Sequence, residues 1–159
     1  MNIQIICVGK LKEKYWTDAI AEYSKRLSRY CTLEIVELKE ARLPDKASAA
    51  DEENVKIEEG RSILKSIKDG TYVISLEILG KQLSSPELAD RIRTLSVEGK
   101  SNVAFVIGGS LGLSEEVSRR ADFKLSFSRM TFPHQMMRVV LLEQIYRGFK
   151  IIKNEAYHK

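Results

Sequence analysis

The chain has few of the residues on which disulfide-rich and metal-binding proteins depend. Its 159 residues include only two cysteines and two histidines. Cys7 and Cys31 do not form a CxxC or metal-ligand spacing, so both are interpreted as buried or half-buried thiols. With only His134 and His158 available, a zinc site of histidine and cysteine is not expected. The sequence therefore predicts a protein without a metal.

Long apolar runs are also missing. No window approaches ~18 consecutive apolar residues, so no membrane-spanning helix is expected. Residues 1–9 are apolar, but they lack the basic leader and the small-residue cleavage site of a signal peptide. These two absences predict a cytoplasmic protein that has no membrane partner.

The overall composition is that of an ordinary globular protein. Hydrophobic residues make up 43% of the chain and charged residues 30%, and the length suits one domain spanning residues 1–159. The net charge is +4 and the pI is near 9.0. Such a charge permits an anionic partner such as RNA without requiring one.

Strand-like and helix-like segments alternate along the chain. This alternation predicts an α/β fold with a mostly parallel sheet and helices on both faces. Ser48 and Ser114 are expected to cap the second and fourth helices, and Pro86 follows Ser85 at the start of the third. The predicted strands are residues 3–8, 33–38, 72–78, 103–107 and 123–127, and the predicted helices are residues 15–27, 48–68, 86–99, 113–121 and 133–152.

Residues 125–147 combine a strand end, a polar loop and a long helix, which is how an open α/β sheet builds a ligand site. Gly108, Gly109 and Gly112 directly follow another buried strand. They match neither GxGxxG nor a P-loop, so phosphate binding is not predicted. Two interpretations remain: a tight turn that binds nothing, or a turn whose backbone holds a nucleoside.

The last helix carries two unusual features. Arg138 falls on its apolar face, where burying an unpaired charge is very costly. The arginine therefore makes either an ion pair, within the chain or across a subunit interface, or a contact with an anion or RNA. Apolar residues also cover well over half of the helix surface, which indicates either burial in the monomer core or self-association.

The chain closes with Tyr157, His158 and Lys159. Such a terminus is commonly frayed, but the tyrosine could also stack on a base while the other two meet phosphate. His134, in the first turn of the last helix, is interpreted as structural.

Several separated segments together resemble one family. They are Val8-Gly9-Lys10-Leu11 with Tyr15, Gly108-Gly109-Ser110-Leu111-Gly112-Leu113, Leu125-Ser126-Phe127-Ser128, Met130-Thr131-Phe132-Pro133-His134-Gln135, Arg138-Val139, Tyr146-Arg147 and Tyr157-His158-Lys159. The order, the spacing and the length resemble the RlmH family of bacterial SPOUT-class methyltransferases. The resemblance extends from the first residue to the last.

This resemblance implies several properties that periodicity does not. It implies an α/β fold with a C-terminal trefoil knot, a feature that general topology rules would reject. It also implies binding of S-adenosylmethionine, a homodimer packed through the knot region, and methylation of N3 of a pseudouridine in 23S rRNA within the assembled ribosome.

Site residues follow from the same resemblance. The cofactor would be bound by Leu76, Gly108, Phe127, Ser128, Arg129, Met130, Thr131 and Phe132. Substrate contact or catalysis would involve Arg138, Arg147, Tyr157, His158 and Lys159, with the tail reaching the partner's pocket. Leu111 departs from the polar or acidic residue expected at its position, so only backbone contacts are expected there.

The implied reaction requires a ring imide to lose its proton. Histidine has an unperturbed pKa of ~6.5 and is mostly neutral at cellular pH, which makes His158 a candidate general base. Arg138 could instead stabilise the imide anion. Two rival classes are a non-catalytic RNA- or ribosome-binding dimer and a nicotinamide enzyme. The second lacks the dinucleotide fingerprint and the ribose-binding acid.

Overall fold

The computed structural model describes residues 1–159 and contains one five-stranded sheet. Its strands are β1 Asn2–Val8, β2 Thr32–Leu38, β3 Tyr72–Gln82, β4 Asn102–Ile107 and β5 Phe123–Ser126. The strand order is β2-β1-β4-β3-β5, and every neighbouring pair is parallel. The predicted α/β class and parallel sheet are confirmed.

Helices cover both faces of this sheet. They are α1 Lys14–Leu27, α2 Ala49–Ser66, α3 Ser85–Val97, α4 Glu115–Arg120 and α5 His134–Ile152. Alternate residues of each strand point to opposite faces. Ile5 and Phe105 therefore join the larger apolar cluster, with α1, α3 and α5. Ile6 and Val106 join the smaller cluster, with α2 and α4.

The helix starts follow the capping signals in the sequence, with one difference. Ser48 caps α2 through a reciprocal hydrogen-bonded box with Asp51, and Ser114 caps α4, as predicted. The cap of α3 is Ser84, one residue earlier than Ser85, because Glu87 lies at the third helical position and returns the hydrogen bond to the Ser84 backbone.

Strand β3 is longer than the predicted residues 72–78. It pairs with β5 in two registers, since Leu76 and Lys81 both lie opposite Leu125. The intervening residues 77–80 bulge away from the ladder. Gly80 is required in this bulge, because a Cβ there would lie 2.7 Å from the backbone oxygen of Lys124. The bulge carries side chains into the candidate site described below.

The strand order is compatible with the expected trefoil knot but does not by itself establish it. β5 returns to the edge of the sheet beside β3, after β4 has paired between β1 and β3. The trefoil knot itself therefore stays a prediction. None of the helices has the length and apolar content needed to cross a membrane.

Candidate functional site

A cavity of about 670 Å³ opens at the carboxyl edge of the sheet, beyond the ends of β3, β4 and β5. In parallel α/β sheets, ligands bind at this edge. Seven of the eight residues predicted to bind the cofactor line the cavity: Leu76, Gly108, Phe127, Ser128, Met130, Thr131 and Phe132. The eighth, Arg129, is exposed and does not line it.

The glycine turn after β4 forms a wall made of backbone. A Cβ on Gly108 would lie 2.8 Å from the carbonyl carbon of Gly112, and the Gly112 N–H donates to the Gly109 carbonyl at 3.1 Å. Gly112 has a φ of +84°, in the region that favours glycine. Leu111, which departs from the expected pattern, also lines the cavity. The turn can thus bring its backbone polar groups close to a ligand.

The loop after β5 is fastened to the β3 bulge. The Ser126 hydroxyl lies 2.8 Å from the carbonyl oxygen of Ile78 and 3.1 Å from that of Ser128. The Met130 N–H donates to the Ser128 hydroxyl at 3.0 Å. These contacts hold the second wall of the cavity in a fixed conformation.

His134 lines the cavity, which the interpretation of this residue as purely structural did not anticipate. Its Nδ1 is buried and has no hydrogen-bond partner. Burial, reinforced by the Arg138 guanidinium, lowers the pKa of His134 below its ordinary value, while Glu40 acts in the opposite direction. The ring is therefore neutral and has unused hydrogen-bonding capacity. The sequence signal was its position, directly after the polar loop at the start of the helix.

Glu77 is a second wall residue that sequence reasoning missed. It is the only carboxylate lining the cavity. Its side chain accepts hydrogen bonds from the hydroxyls of Ser75 and Ser118, the second at 2.8 Å. Its place in the wall depends on the β3 bulge, which the sequence pattern does not indicate.

Arg138 makes the intramolecular ion pair that was one of its two predicted alternatives. The side chain is 2% exposed, and it donates to the Glu37 carboxylate at 2.8 Å. It also donates to the backbone carbonyls of Val8 and Gly9, at 2.8 and 2.9 Å. Within one chain it lines a separate cavity of about 250 Å³ beside α1, away from the glycine turn.

The C-terminal residues pack against α5 and form a compact polar cluster. The Tyr157 hydroxyl donates to Glu143 at 3.0 Å, and Arg147 pairs with the same carboxylate at 2.6 Å. The Arg147 guanidinium also lies 3.2 Å from Nδ1 of His158 and over the Tyr157 ring. Burial, followed by the hydrogen bond to Glu143, raises the pKa of Tyr157 to about 12. Lys159 is exposed at the end of the chain.

This tail cluster and the cavity are at opposite ends of α5. Because an α-helix rises 1.5 Å per residue, about 20 Å of helix separates His134 from Arg147. A single chain therefore does not bring Arg147, Tyr157 and His158 to the cavity.

Several apolar side chains around the cavity mouth and along the outer face of α5 remain exposed. Met130 is 73% exposed, and Phe132, Met136 and Val140 are each between 36% and 40% exposed. Burial in the monomer therefore accounts for only part of the apolar surface of α5.

The fold and the site define a parallel α/β protein with a ligand cavity at the carboxyl edge of its sheet. The family described as "Predicted SPOUT methyltransferase" matches residues 1–158. The chain belongs to this family of methyltransferases, and among its members it groups with RlmH.

Close relatives match over the full length of both chains. The "Ribosomal RNA large subunit methyltransferase H" of Alkaliphilus oremlandii is 62% identical over 159 residues, and the protein of the same name from Clostridium novyi is 64% identical. A solved structure, a probable methyltransferase from Bordetella pertussis Tohama I, superimposes with a TM-score of 0.57. It covers 92% of this chain and 95% of its own at 13% identity, so this likeness concerns the fold alone.

Proposed function

We propose that residues 1–159 act as one domain that transfers a methyl group from S-adenosylmethionine to N3 of a pseudouridine in 23S rRNA, with the assembled ribosome as substrate. The observation that carries the proposal is the cavity bounded by the glycine turn and the loop after β5. The names of the full-length relatives support a large-subunit rRNA substrate. Acting on ribosomes would make the protein cytoplasmic.

The residues present fit this cofactor. A cavity of about 670 Å³ lies within the ~300–1,000 Å³ common for small-molecule sites, and it is mostly apolar with a few polar groups, as such sites are. Leu76, Gly108 and residues 127–132 would surround the adenosine and methionine parts. Glu77 would face a cationic ligand, and the unpartnered Nδ1 of His134 offers one more polar contact.

When bound, the cofactor supplies an electrophilic methyl group, and a neutral thioether leaves without needing an acid. The protein must then hold the pseudouridine N3 in line with that methyl group and remove the N3 proton. A positioned general base contributes typically ~10²–10⁴-fold. Arg138 would act as a positioning residue, since its guanidinium is already bound by Glu37 and two backbone carbonyls.

Two histidines compete for the role of proton acceptor. His158 belongs to the tail cluster and would need to reach the cavity from a second subunit. His134 already lines the cavity as a neutral ring with a free Nδ1. They are the only histidines of the chain, so His134→Gln and His158→Gln form a matched pair. The variant that loses methyl transfer in a single turnover while it retains cofactor affinity identifies the acceptor.

A homodimer would complete the site. The tail cluster lies about 20 Å along α5 from the cavity within one chain. The exposed Met136 and Val140 offer apolar surface along that helix for a second copy. Arg147, Tyr157, His158 and Lys159 of one subunit would then meet the substrate at the partner's cavity.

Calorimetry and methyl transfer test the proposal together. We expect saturable binding of S-adenosylmethionine to the purified protein. Tritiated methyl transfer should be more efficient on assembled ribosomes than on free 23S rRNA, with the product mapped to N3 by mass spectrometry. Absence of binding would exclude S-adenosylmethionine as the cofactor and would favour the alternative of a non-catalytic RNA-binding dimer. Equal transfer to free rRNA would remove the requirement for an assembled ribosome.

A further inference from the structure

We propose that residues 10–16, which comprise the end of the connection between β1 and α1 and the first turn of α1, form a docking surface for RNA beside the cavity. We call this segment the lysine loop. The inference rests on the proposed function for the identity of the partner, but it concerns a surface to which neither the family motifs nor the cofactor cavity assigns a role.

The lysine loop begins at the same edge of the sheet as the cavity. β1 ends at Val8, and the Gly9 N–H donates to the Leu38 carbonyl at 2.7 Å. A Cβ on Gly9 would lie 3.9 Å from the ring of His134, which is itself part of the cavity wall. An RNA strand that presents a base to the cavity would therefore pass close to the loop.

The charge of the loop suits a phosphate backbone. Lys10, Lys12 and Lys14 are exposed within five positions, against a single acid, Glu13. Lys14 pairs with Asp18 at 2.6 Å, but their side chains are 87% and 61% exposed. A pair this exposed has little stability of its own, at most ~1 kcal/mol, and can be exchanged for a phosphate.

An aromatic pair, the exposed Tyr15 and the half-buried Trp16, directly follows the lysines. Tyr15 is 64% exposed, although a tyrosine usually buries much of its ring. Its ring meets Trp16 edge-on, with 5.0 Å between centroids and 65° between planes. Basic residues beside exposed aromatic rings can hold the backbone of single-stranded RNA while its bases stack on the rings. An acidic peptide would use the lysines but would leave the tyrosine face without a role.

The loop is held in place by the buried arginine. The Leu11 N–H donates to the Glu37 carboxylate at 3.1 Å, and Glu37 is paired with Arg138. Arg138 also holds the carbonyls of Val8 and Gly9, where the loop begins. Preorganisation of this kind lowers the entropic cost of binding. It also gives Arg138 a route to affect the substrate without touching it.

The test compares two triple variants of the full-length protein. In one, Lys10, Lys12 and Lys14 are changed to Gln. In the control, three exposed lysines near the opposite edge of the sheet, Lys65, Lys68 and Lys100, are changed to Gln. Both variants lose the same charge. Binding to assembled ribosomes, and to 23S rRNA fragments that contain the target pseudouridine, is measured over a range of salt concentrations.

We expect the loop variant alone to bind RNA more weakly and with a smaller salt dependence. Removing one lysine–phosphate interaction lowers the slope of log K against log salt by roughly 0.7–0.9, so the slope should fall by about 2–3 for three lysines. Tyr15→Ala, which leaves the charge unchanged, should weaken binding roughly five- to 150-fold, the range for removal of one aromatic ring that stacks on a base, with little change in slope.

Three results would overturn the proposal: RNA binding by the loop variant that equals wild type, equal weakening in the two triple variants, or full affinity in Tyr15→Ala. Thermal unfolding of every variant shows whether a loss of RNA binding comes from a loss of folding. Calorimetry with S-adenosylmethionine shows whether it comes from a damaged cofactor site. Failure of wild type to bind the cofactor would count against the proposed function. Wild-type-like RNA binding by the loop variant would count against the docking surface only.

Discussion

Replacing Arg138 with Met would test whether this arginine is a structural clamp or a substrate ligand. Methionine keeps much of the apolar stem and removes the guanidinium. The substitution breaks the pair with Glu37 and leaves the carbonyls of Val8 and Gly9 without their donor. The arginine is 2% exposed, whereas the side chain of Glu37 is 35% exposed.

The size of the effect follows from which groups remain buried. Removing one partner of a fully buried pair costs about 3–5 kcal/mol, because the other charge stays uncompensated. Glu37 can regain water, so its share is smaller. Each carbonyl left without a donor adds about 1 kcal/mol or more if water cannot reach it. We expect a net destabilisation of about 2–4 kcal/mol, which is a large part of the ~5–15 kcal/mol stability of a typical domain.

Urea unfolding measures this destabilisation as a lower midpoint. The double variant Arg138→Met with Glu37→Gln should be less destabilised than the sum of the two single variants, with a coupling of about 1–3 kcal/mol. A destabilisation below about 0.5 kcal/mol, the range of ordinary surface substitutions, would refute the clamp. Methyl transfer that falls in Arg138→Met but not in Glu37→Gln would instead indicate direct contact with the substrate.

Two substitutions and one reagent test the packing of the core and of the cavity wall. Gly60→Ala should lower the free energy of unfolding measured in urea by about 1–3 kcal/mol, because the added Cβ would lie 2.3 Å from the Ser114 hydroxyl. This cost should exceed the gain from the better helix propensity of alanine, and a more stable variant would contradict the contact. Gly108→Ala should weaken cofactor binding at least tenfold in calorimetry, because the added Cβ would lie 2.8 Å from the Gly112 backbone and would displace the glycine turn. Unchanged affinity would show that the glycine turn does not form a wall of the cofactor site. Burial raises the pKa of Cys7 to about 11. Thiolate-directed reagents at pH 8 should therefore not modify this thiol until the protein is unfolded, and rapid modification of the native protein would show that β1 opens.

The layers of the fold could be predicted from the sequence because each depends on a local pattern. Residues 103–107 are continuously apolar, as expected for a strand covered on both faces, and Ser48 is followed by the acid that closes its capping box. The bulge at residues 77–80 could not be predicted in this way. It exists because β3 resumes pairing with β5 at Lys81, and that partner strand lies more than forty positions further along the chain.

In the candidate site, too, local sequence patterns were predictable and contacts between distant residues were not. The family resemblance selected seven residues that line the cavity, and six of them lie in two short segments, at Gly108 and at residues 127–132. A helical wheel placed Arg138 on the apolar face of the last helix, but it contains no information about Glu37, which is 101 positions away in the sequence. His134 was missed because a histidine in a first helical turn is usually structural, and only the cavity reveals that its Nδ1 lacks a partner.

The length of α5 limits how the site can be completed. The helix holds His134 at the cavity and Arg147 at the tail cluster, and a rigid helix keeps them about 20 Å apart. The tail that follows Ile152 folds back onto the same helix, where Tyr157 is fixed by Glu143. Bringing Tyr157 and His158 to the cavity of their own chain would require these contacts to break and the tail to retrace most of the helix. Under our proposal, a second copy packed along the exposed Met136 and Val140 would supply these residues without either rearrangement.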